Sequence, residues 1–342
     1  VSGRTCTTCG EIAPDDANWC EACGNDLAAP AEAPAEPAYV ATAPCVSCNA
    51  DMSEVTDDGW CQQCGTKQPA PGDHVVDDHG EFAVVSDRGR KHRTNEDAGA
   101  IGANDEVLAL VVCDGVSSTD DAQHASQAAA AAAVQVLLDS GSPAGARLHE
   151  AALAAQRAVV DATPAVVETP PSCTFVAALV ALGDEPTKIT IGWLGDSRAY
   201  WSADSGTRLL TQDHTWAIEQ RMIGAMSPEE IDADERAHSI TRWLGKDALD
   251  VTPEVVEISI DEPGLLVVCS DGLWNYAAPL GDFHQLVGDT YAPGIEMVDL
   301  AEKLVTFAND AGGHDNITVA LARFPLTEPD SPDPAPLDPS ES

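Results

Sequence analysis

Five short segments of this 342-residue chain place a carboxylate beside a tight turn or at the end of an apolar run. They read TNEDAG (Glu96, Asp97), VVCDGV (Asp114, Gly115), LGDSRAYW (Asp196, Ser197, Arg198), VVCSDGLW (Asp271, Gly272) and GGHDNITV (Asp315, Asn316). None contains a lysine. An uncompensated carboxylate at a core edge is costly, so something cationic should stand near it. Hard oxygen donors converging without soft ones suit Mg²⁺ or Mn²⁺ better than zinc. Cys113 and Cys269 adjoin these acids, but inside apolar runs they read as small core residues rather than nucleophiles, as does Cys173.

A softer donor set lies upstream. Eight of the 11 cysteines precede residue 65, as Cys6-x₂-Cys9-x₁₀-Cys20-x₂-Cys23 and Cys45-x₂-Cys48-x₁₂-Cys61-x₂-Cys64. Each C-x-x-C pair can put two thiolates on one tetrahedral ion, and the Gly or Asn that follows allows the tight turn behind them. Modules this short cannot build an adequate core, whereas zinc binding, worth about 10–16 kcal/mol in small peptides, would fold them. A disulfide framework is the alternative, but the chain shows no secretion signal. The repeats resemble two zinc ribbons, at 1–27 and 45–67, each with one structural Zn²⁺.

The net charge is −40, from 57 acidic against 17 basic side chains. That balance repels nucleic-acid phosphates and anionic membranes. Residues 1–27 hold only Arg4 against five acids, so the ribbons are expected to engage protein rather than nucleic acid. No run approaches 18 apolar residues and no basic-then-apolar leader is present, so a cytoplasmic protein is expected.

The elements that must position the acids follow from periodicity. Apolar or β-branched runs at 107–113, 175–182, 189–194, 255–260, 265–269 and 317–324 predict strands. Residues 120–141, 146–161 and 294–309 predict helices, with Asp120 and Asp121 as capping acids. Ser227, Pro228 and Glu230 form a capping box. Strands in neighbouring runs, with helices between the blocks, predict an α+β fold with antiparallel sheets. A Pro/Ala linker (28–44) and a polar linker (68–81) flank the second ribbon. The globular body spans 82–324, and the acidic tail 325–342 should be disordered.

The ordered series SDRG, NED, DG, S-C-T, GDSRAY, LTQDH, SDG and DNIT resembles the metal-dependent protein phosphatase family of bacterial type (PPM, or type-2C serine/threonine phosphatases) over nearly all of 82–324. The resemblance implies an α-β-β-α sandwich, two antiparallel sheets flanked by helices, with two Mn²⁺ or Mg²⁺ ions at one end and a third in some members. It implies that Asp114 bridges two ions and that Asp271 and Asp315 complete the first. Glu96, or Asp97 through water, and the Gly115 carbonyl would serve the second. Asp196 with Asp271 would serve the third. Water activated by the two metals would then hydrolyse phosphoserine and phosphothreonine in proteins. The implied partners are phosphoproteins of a serine/threonine kinase system, with the ribbons regulating or docking. The alternative is a weak or inactive phosphatase-like sensor or scaffold.

Two positions depart from the family pattern. His92 stands four residues before Glu96, where the family has a phosphate-clamping Arg, so His92 is a catalytic candidate and Arg93 or Arg90 could assist. Val116 follows Asp114-Gly115 and has no proton to donate. Arg198 is expected to support Asp196 or its strand, His214 to fix a helix start, and 215–250 to form a variable flap.

Overall fold

A computed structural model of the protein describes residues 3–5, 12–14, 44–56, 59–139, 141–183 and 186–325. The chain divides into two compact units, Val1–Ala70 and Pro71–Ser342. In the first, β1 (Gly3–Thr5) and β2 (Ile12–Pro14) pair antiparallel. Cys6, Cys9, Cys20 and Cys23, most of the 28–44 linker and the tail beyond Pro325 lie outside the described residues.

In the second unit an antiparallel six-stranded sheet runs β11 (Gly206–Leu209), β10 (Arg198–Ala203), β14 (Gly264–Cys269), β15 (Ile317–Phe324), β4 (Phe82–Asp87), β3 (His74–Asp78). An antiparallel five-stranded sheet runs β13 (Glu254–Ile260), β9 (Thr187–Leu194), β8 (Phe175–Ala181), β6 (Val107–Cys113), β5 (Ala98–Ala103). The short β7 (Ser172–Cys173) and β12 (Leu244–Gly245) pair separately. Helices α1 (Ala122–Asp139) and α2 (Ala144–Ala162) pack on the five-stranded sheet. Helices α5 (Asp271–Trp274), α6 (Leu280–Thr290) and α7 (Met297–Ala311) pack on the six-stranded one. The flap carries α3 (Trp216–Ile223) and α4 (Pro228–Asp232), the latter started by the expected Ser227/Glu230 capping box.

Strand alternation divides the apolar runs between three cores. Along β6, Leu108, Leu110 and Val112 face the other sheet, while Ala109, Val111 and Cys113 face the helices. Along β14, Leu266 and Val268 face the sheet interface, and Leu265, Val267 and Cys269 the helices. Both strands are therefore apolar on both faces, which is why they read as unbroken runs. Burial raises the Cys113 and Cys269 thiols well above their ordinary range, consistent with packing rather than nucleophilic roles.

The structure corrects two expectations, on residues 74–78 and on Asp120, and adds strands that the apolar runs did not predict. Residues 74–78, placed in the 68–81 linker, form edge strand β3, exposed throughout, so its burial carries no apolar period. The Gly-rich β5, AGAIGA, lacks strand propensity because glycine lets the sheets approach: a Cβ on Gly99 would lie 2.3 Å from Val84 Cγ2. Asp120 does not cap α1; its carboxylate accepts the Thr169 amide at 3.1 Å, and Asp121 has φ 52°.

Candidate active site

The acids gather because antiparallel register brings strand ends of opposite chain direction to one edge. Ala98 stands opposite Cys113, Phe175 opposite Leu194, and Cys269 opposite Val319. Asp97, Asp114, Asp196, Asp271 and Asp315 therefore lie just past strand ends at the same end of the sandwich. Backbone and side-chain bonds lock these loops. The Asp114 amide donates to Thr174 Oγ1 at 3.0 Å, the Thr174 amide donates back to the Asp114 carbonyl at 2.8 Å, and the Thr174 and Ser197 hydroxyls meet at 2.7 Å. Asn316 Oδ1 accepts the Glu96 amide at 2.8 Å, and its Nδ2 donates to the Arg88 and Thr94 carbonyls.

The two acids of NED separate in role. Asp97 is buried, accepts the Ser270 hydroxyl at 2.6 Å, and faces the charges of Asp315 and Asp271. Glu96 lies at the rim, accepting the Ser117 hydroxyl at 2.6 Å with His92 Nδ1 at 3.8 Å. His92 Nε2 stands 3.2 Å from Asp315 Oδ1. His92 is thus brought to the carboxylates, whereas Arg90 lies against Gly313 and Asp310 and Arg93 is exposed. His214 braces the Asp196 turn rather than a helix start: its Nδ1 accepts the Gly195 amide at 3.1 Å and its Nε2 faces Glu254 at 3.1 Å. His314 is exposed and its amide donates to the Tyr276 hydroxyl.

Desolvation, then repulsion from neighbouring acids, raises four carboxyls of the site: Asp196 to about 8 and Asp114 well above the usual range. Asp97 rises to about 7 and Asp271 to about 6, desolvation again being the largest cause. An all-oxygen set in which four acids raise the pKa of a fifth, Asp114, fits a divalent cation, which would offset that repulsion. A raised carboxyl holds its proton more tightly in the folded than in the unfolded chain. Two results are expected. In chelator, the melting temperature should fall as pH climbs from the ordinary carboxylate range through about 6 to 8. Mn²⁺ affinity should climb over the same window, with proton release visible by calorimetry in buffers of different ionisation enthalpy.

Arg198 emerges as a support that links the loop carrying Asp196 to the one carrying Asp271. Its Nε and Nη2 fork onto Asp213 at 2.9 and 2.7 Å, and its guanidinium lies 3.5 Å from the Trp274 ring centroid. Trp274, three residues after Asp271, donates its indole N–H to the Asp196 carbonyl at 3.0 Å. Arg198→Lys keeps the charge but loses the fork. It should weaken Mn²⁺ binding by about 10–100-fold. Trp274→Phe should act in the same direction, both read by calorimetric titration. Asp213, Ser270 and Trp274 were missed as site supports from sequence. Their only signal was membership of the motifs LTQDH and SDGLW.

In the first unit, the Sγ atoms of Cys45, Cys48, Cys61 and Cys64 all lie within 4.8 Å of one another. Two pairs, Cys45–Cys64 and Cys48–Cys61, stand 3.6 Å apart, near the roughly 3.8 Å edge of a tetrahedron with 2.3 Å Zn–S bonds. The two knuckles match: the Asn49 amide donates to the Cys45 carbonyl and the Gly65 amide to the Cys61 carbonyl, with φ of 57° and 72°. The Thr66 hydroxyl and amide hold the Cys64 thiol down at about 6. These four thiols fit zinc.

A family model described as protein phosphatase 2C matches residues 88–309. The serine/threonine phosphatase stp of Listeria monocytogenes serotype 4b (strain F2365) is 29% identical over 261 residues, covering 73% of this chain and 97% of the relative. The crystal structure of the Mycobacterium tuberculosis serine/threonine phosphatase PstP/Ppp superposes with a TM-score of 0.55 at 25% identity, over 73% of this chain and 98% of that one. A structure of the PstP catalytic domain in complex with two manganese ions gives a TM-score of 0.51 at 26% identity, over 73% and 98% of the two chains.

Proposed function

The chain belongs to the protein phosphatase 2C family, and we propose that it hydrolyses phosphoserine and phosphothreonine in proteins with Mn²⁺ or Mg²⁺ held by Glu96, Asp97, Asp114, the Gly115 carbonyl, Asp196, Asp271 and Asp315. The observation that carries these roles is the convergence of Asp97, Asp114, Asp196, Asp271 and Asp315 at one end of the sandwich, where the other four all raise the pKa of Asp114. A non-catalytic scaffold has no use for so costly a cluster, and the chain keeps all six acids.

When bound, the divalent ions supply Lewis-acid activation of water and screening of the phosphoryl charge. The chain's own residues set the geometry. Asp114, anchored after β6 by its backbone bonds to Thr174, would serve both ions, and Asp271 and Asp315 would serve the first. His92 and Arg93 are the candidate donors to the substrate phosphate. An imidazole offers it a single N–H where a guanidinium offers a fork, so His92→Ala should raise KM more than it lowers kcat.

Cys45, Cys48, Cys61 and Cys64 would hold one structural zinc and Cys6, Cys9, Cys20 and Cys23 a second, in ribbons that dock or regulate. Metal analysis of the full chain should give two zinc ions, and Cys48→Ser should remove one of them. A cytosolic serine/threonine kinase system is the proposed source of substrates; no described helix is long and apolar enough to cross a membrane. The deciding experiment is hydrolysis of a phosphothreonine peptide by the full chain with Mn²⁺, Mg²⁺ or chelator. Turnover with either ion and none in chelator is the expected result. Turnover that persists in chelator would refute the metal assignment.

A further inference from the structure

Four of the chain's 17 lysines and arginines fall within six consecutive residues, Arg88-Gly89-Arg90-Lys91-His92-Arg93, although the net charge is −40. The segment is sewn to the loop that carries Asp315. The Arg90 amide donates to the Gly313 carbonyl at 2.8 Å, Asn316 Nδ2 donates to the Arg88 carbonyl at 2.8 Å, and a Cβ on Gly89 would lie 2.1 Å from the Asp315 carbonyl oxygen. Its side chains divide by direction. Arg88 pairs with Asp73 at 3.1 Å and donates to the His92 carbonyl, and His92 turns onto Asp315. Arg90 and Lys91 are exposed. The acid paired with Arg90 is Asp310 at 4.0 Å, with 62% and 73% of the two side chains exposed, an arrangement that leaves the guanidinium largely hydrated and available.

Cations held on a rigid turn beside an acidic metal site attract an anion that the site itself repels. We propose that Arg90 and Lys91 form a rim subsite for a second anionic group on the substrate, a carboxylate or phosphate one to three residues from the scissile phosphoresidue. This rests on the phosphatase reading and adds the substrate class to it. The charge of the whole chain would favour basic peptides instead, but at 0.15 M salt that long-range field is screened beyond about 8 Å, whereas contacts at the rim are not.

The test uses the full chain with Mn²⁺ and phosphothreonine peptides of equal length, flanked by Ala, Asp, Lys or a second phosphoserine, at 0.15 M salt. Expected is a KM about three- to tenfold lower for the Asp- or phosphoserine-flanked peptide than for the Ala-flanked one, at similar kcat. Equal gains assign a carboxylate as sufficient; a gain confined to the phosphoserine peptide assigns phosphate. The Arg90→Gln/Lys91→Gln variant should lose the gain while hydrolysing an aryl phosphate at the unchanged rate. Equal KM for Ala- and acid-flanked peptides, preference for the Lys-flanked one, or an acid preference that survives in the variant overturns the subsite and leaves the phosphatase reading standing. Failure to hydrolyse any peptide overturns both.

Discussion

Asp114→Asn should abolish phosphopeptide turnover while leaving the chelated protein at least as stable as the parent. The two halves of this result have one cause. Asp114 sits among Asp97, Asp271, Asp196 and Asp315, and its carboxyl is raised by desolvation and by all four. An amide is nearly isosteric with the protonated carboxyl that this shift favours and is likewise uncharged, so the metal-free fold loses little. The backbone bonds to Thr174 do not involve the carboxylate and persist. Under the proposed assignment, metal binding would lose the anionic ligand shared between the two ions. The loss of turnover should exceed the roughly 10–100-fold that follows removal of an outer hydrogen-bond partner. Thermal melts in chelator and in Mn²⁺ separate the effects: the parent should gain stability with Mn²⁺ by linkage, and the variant should gain far less. A variant that keeps both the Mn²⁺-induced shift and turnover would remove Asp114 from the site.

Gly272→Ala is expected to be the most damaging single-methyl change. An added Cβ would lie 1.8 Å from the Asn316 carbonyl oxygen and 2.8 Å from its carbon, both backbone atoms that no rotamer can move. Relief requires the start of α5 to part from the start of β15, and those two points carry Asp271 and Asp315. The cost should reach or exceed the about 1–3 kcal/mol of ordinary overpacking, with metal affinity falling as well. Gly288, inside α6, is the matched control: nothing lies within 4 Å of its added Cβ. Gly288→Ala should stabilise by about 1 kcal/mol through helix propensity. Denaturant melts of both variants check the pair, and a Gly272→Ala protein with unchanged midpoint would contradict the close approach.

Much of this was legible in the chain because the site is built at the ends of doubly buried strands. Burial on both faces makes β6, β8, β9, β14 and β15 visible as continuous apolar runs, and a carboxylate that ends such a run stands out against them. The cysteine knuckles were legible for a similar reason: Asn49 and Gly65 occupy left-handed turns that few other residues accept. Edge strand β3, exposed along its length, and β5, made of Ala and Gly with one Ile, have no such period.

Residue types and spacing by themselves pointed to two kinds of candidate donor, hard oxygens in the body and soft thiolates upstream, because ligand chemistry is a property of side chains. They could not decide which acid of NED turns inward, that His92 would rest on Asp315, or that Arg198 would reach Asp213 and Trp274. Those outcomes depend on antiparallel register, which brings strand ends distant in sequence to one edge. Only the packed sheets specify which of those ends meet.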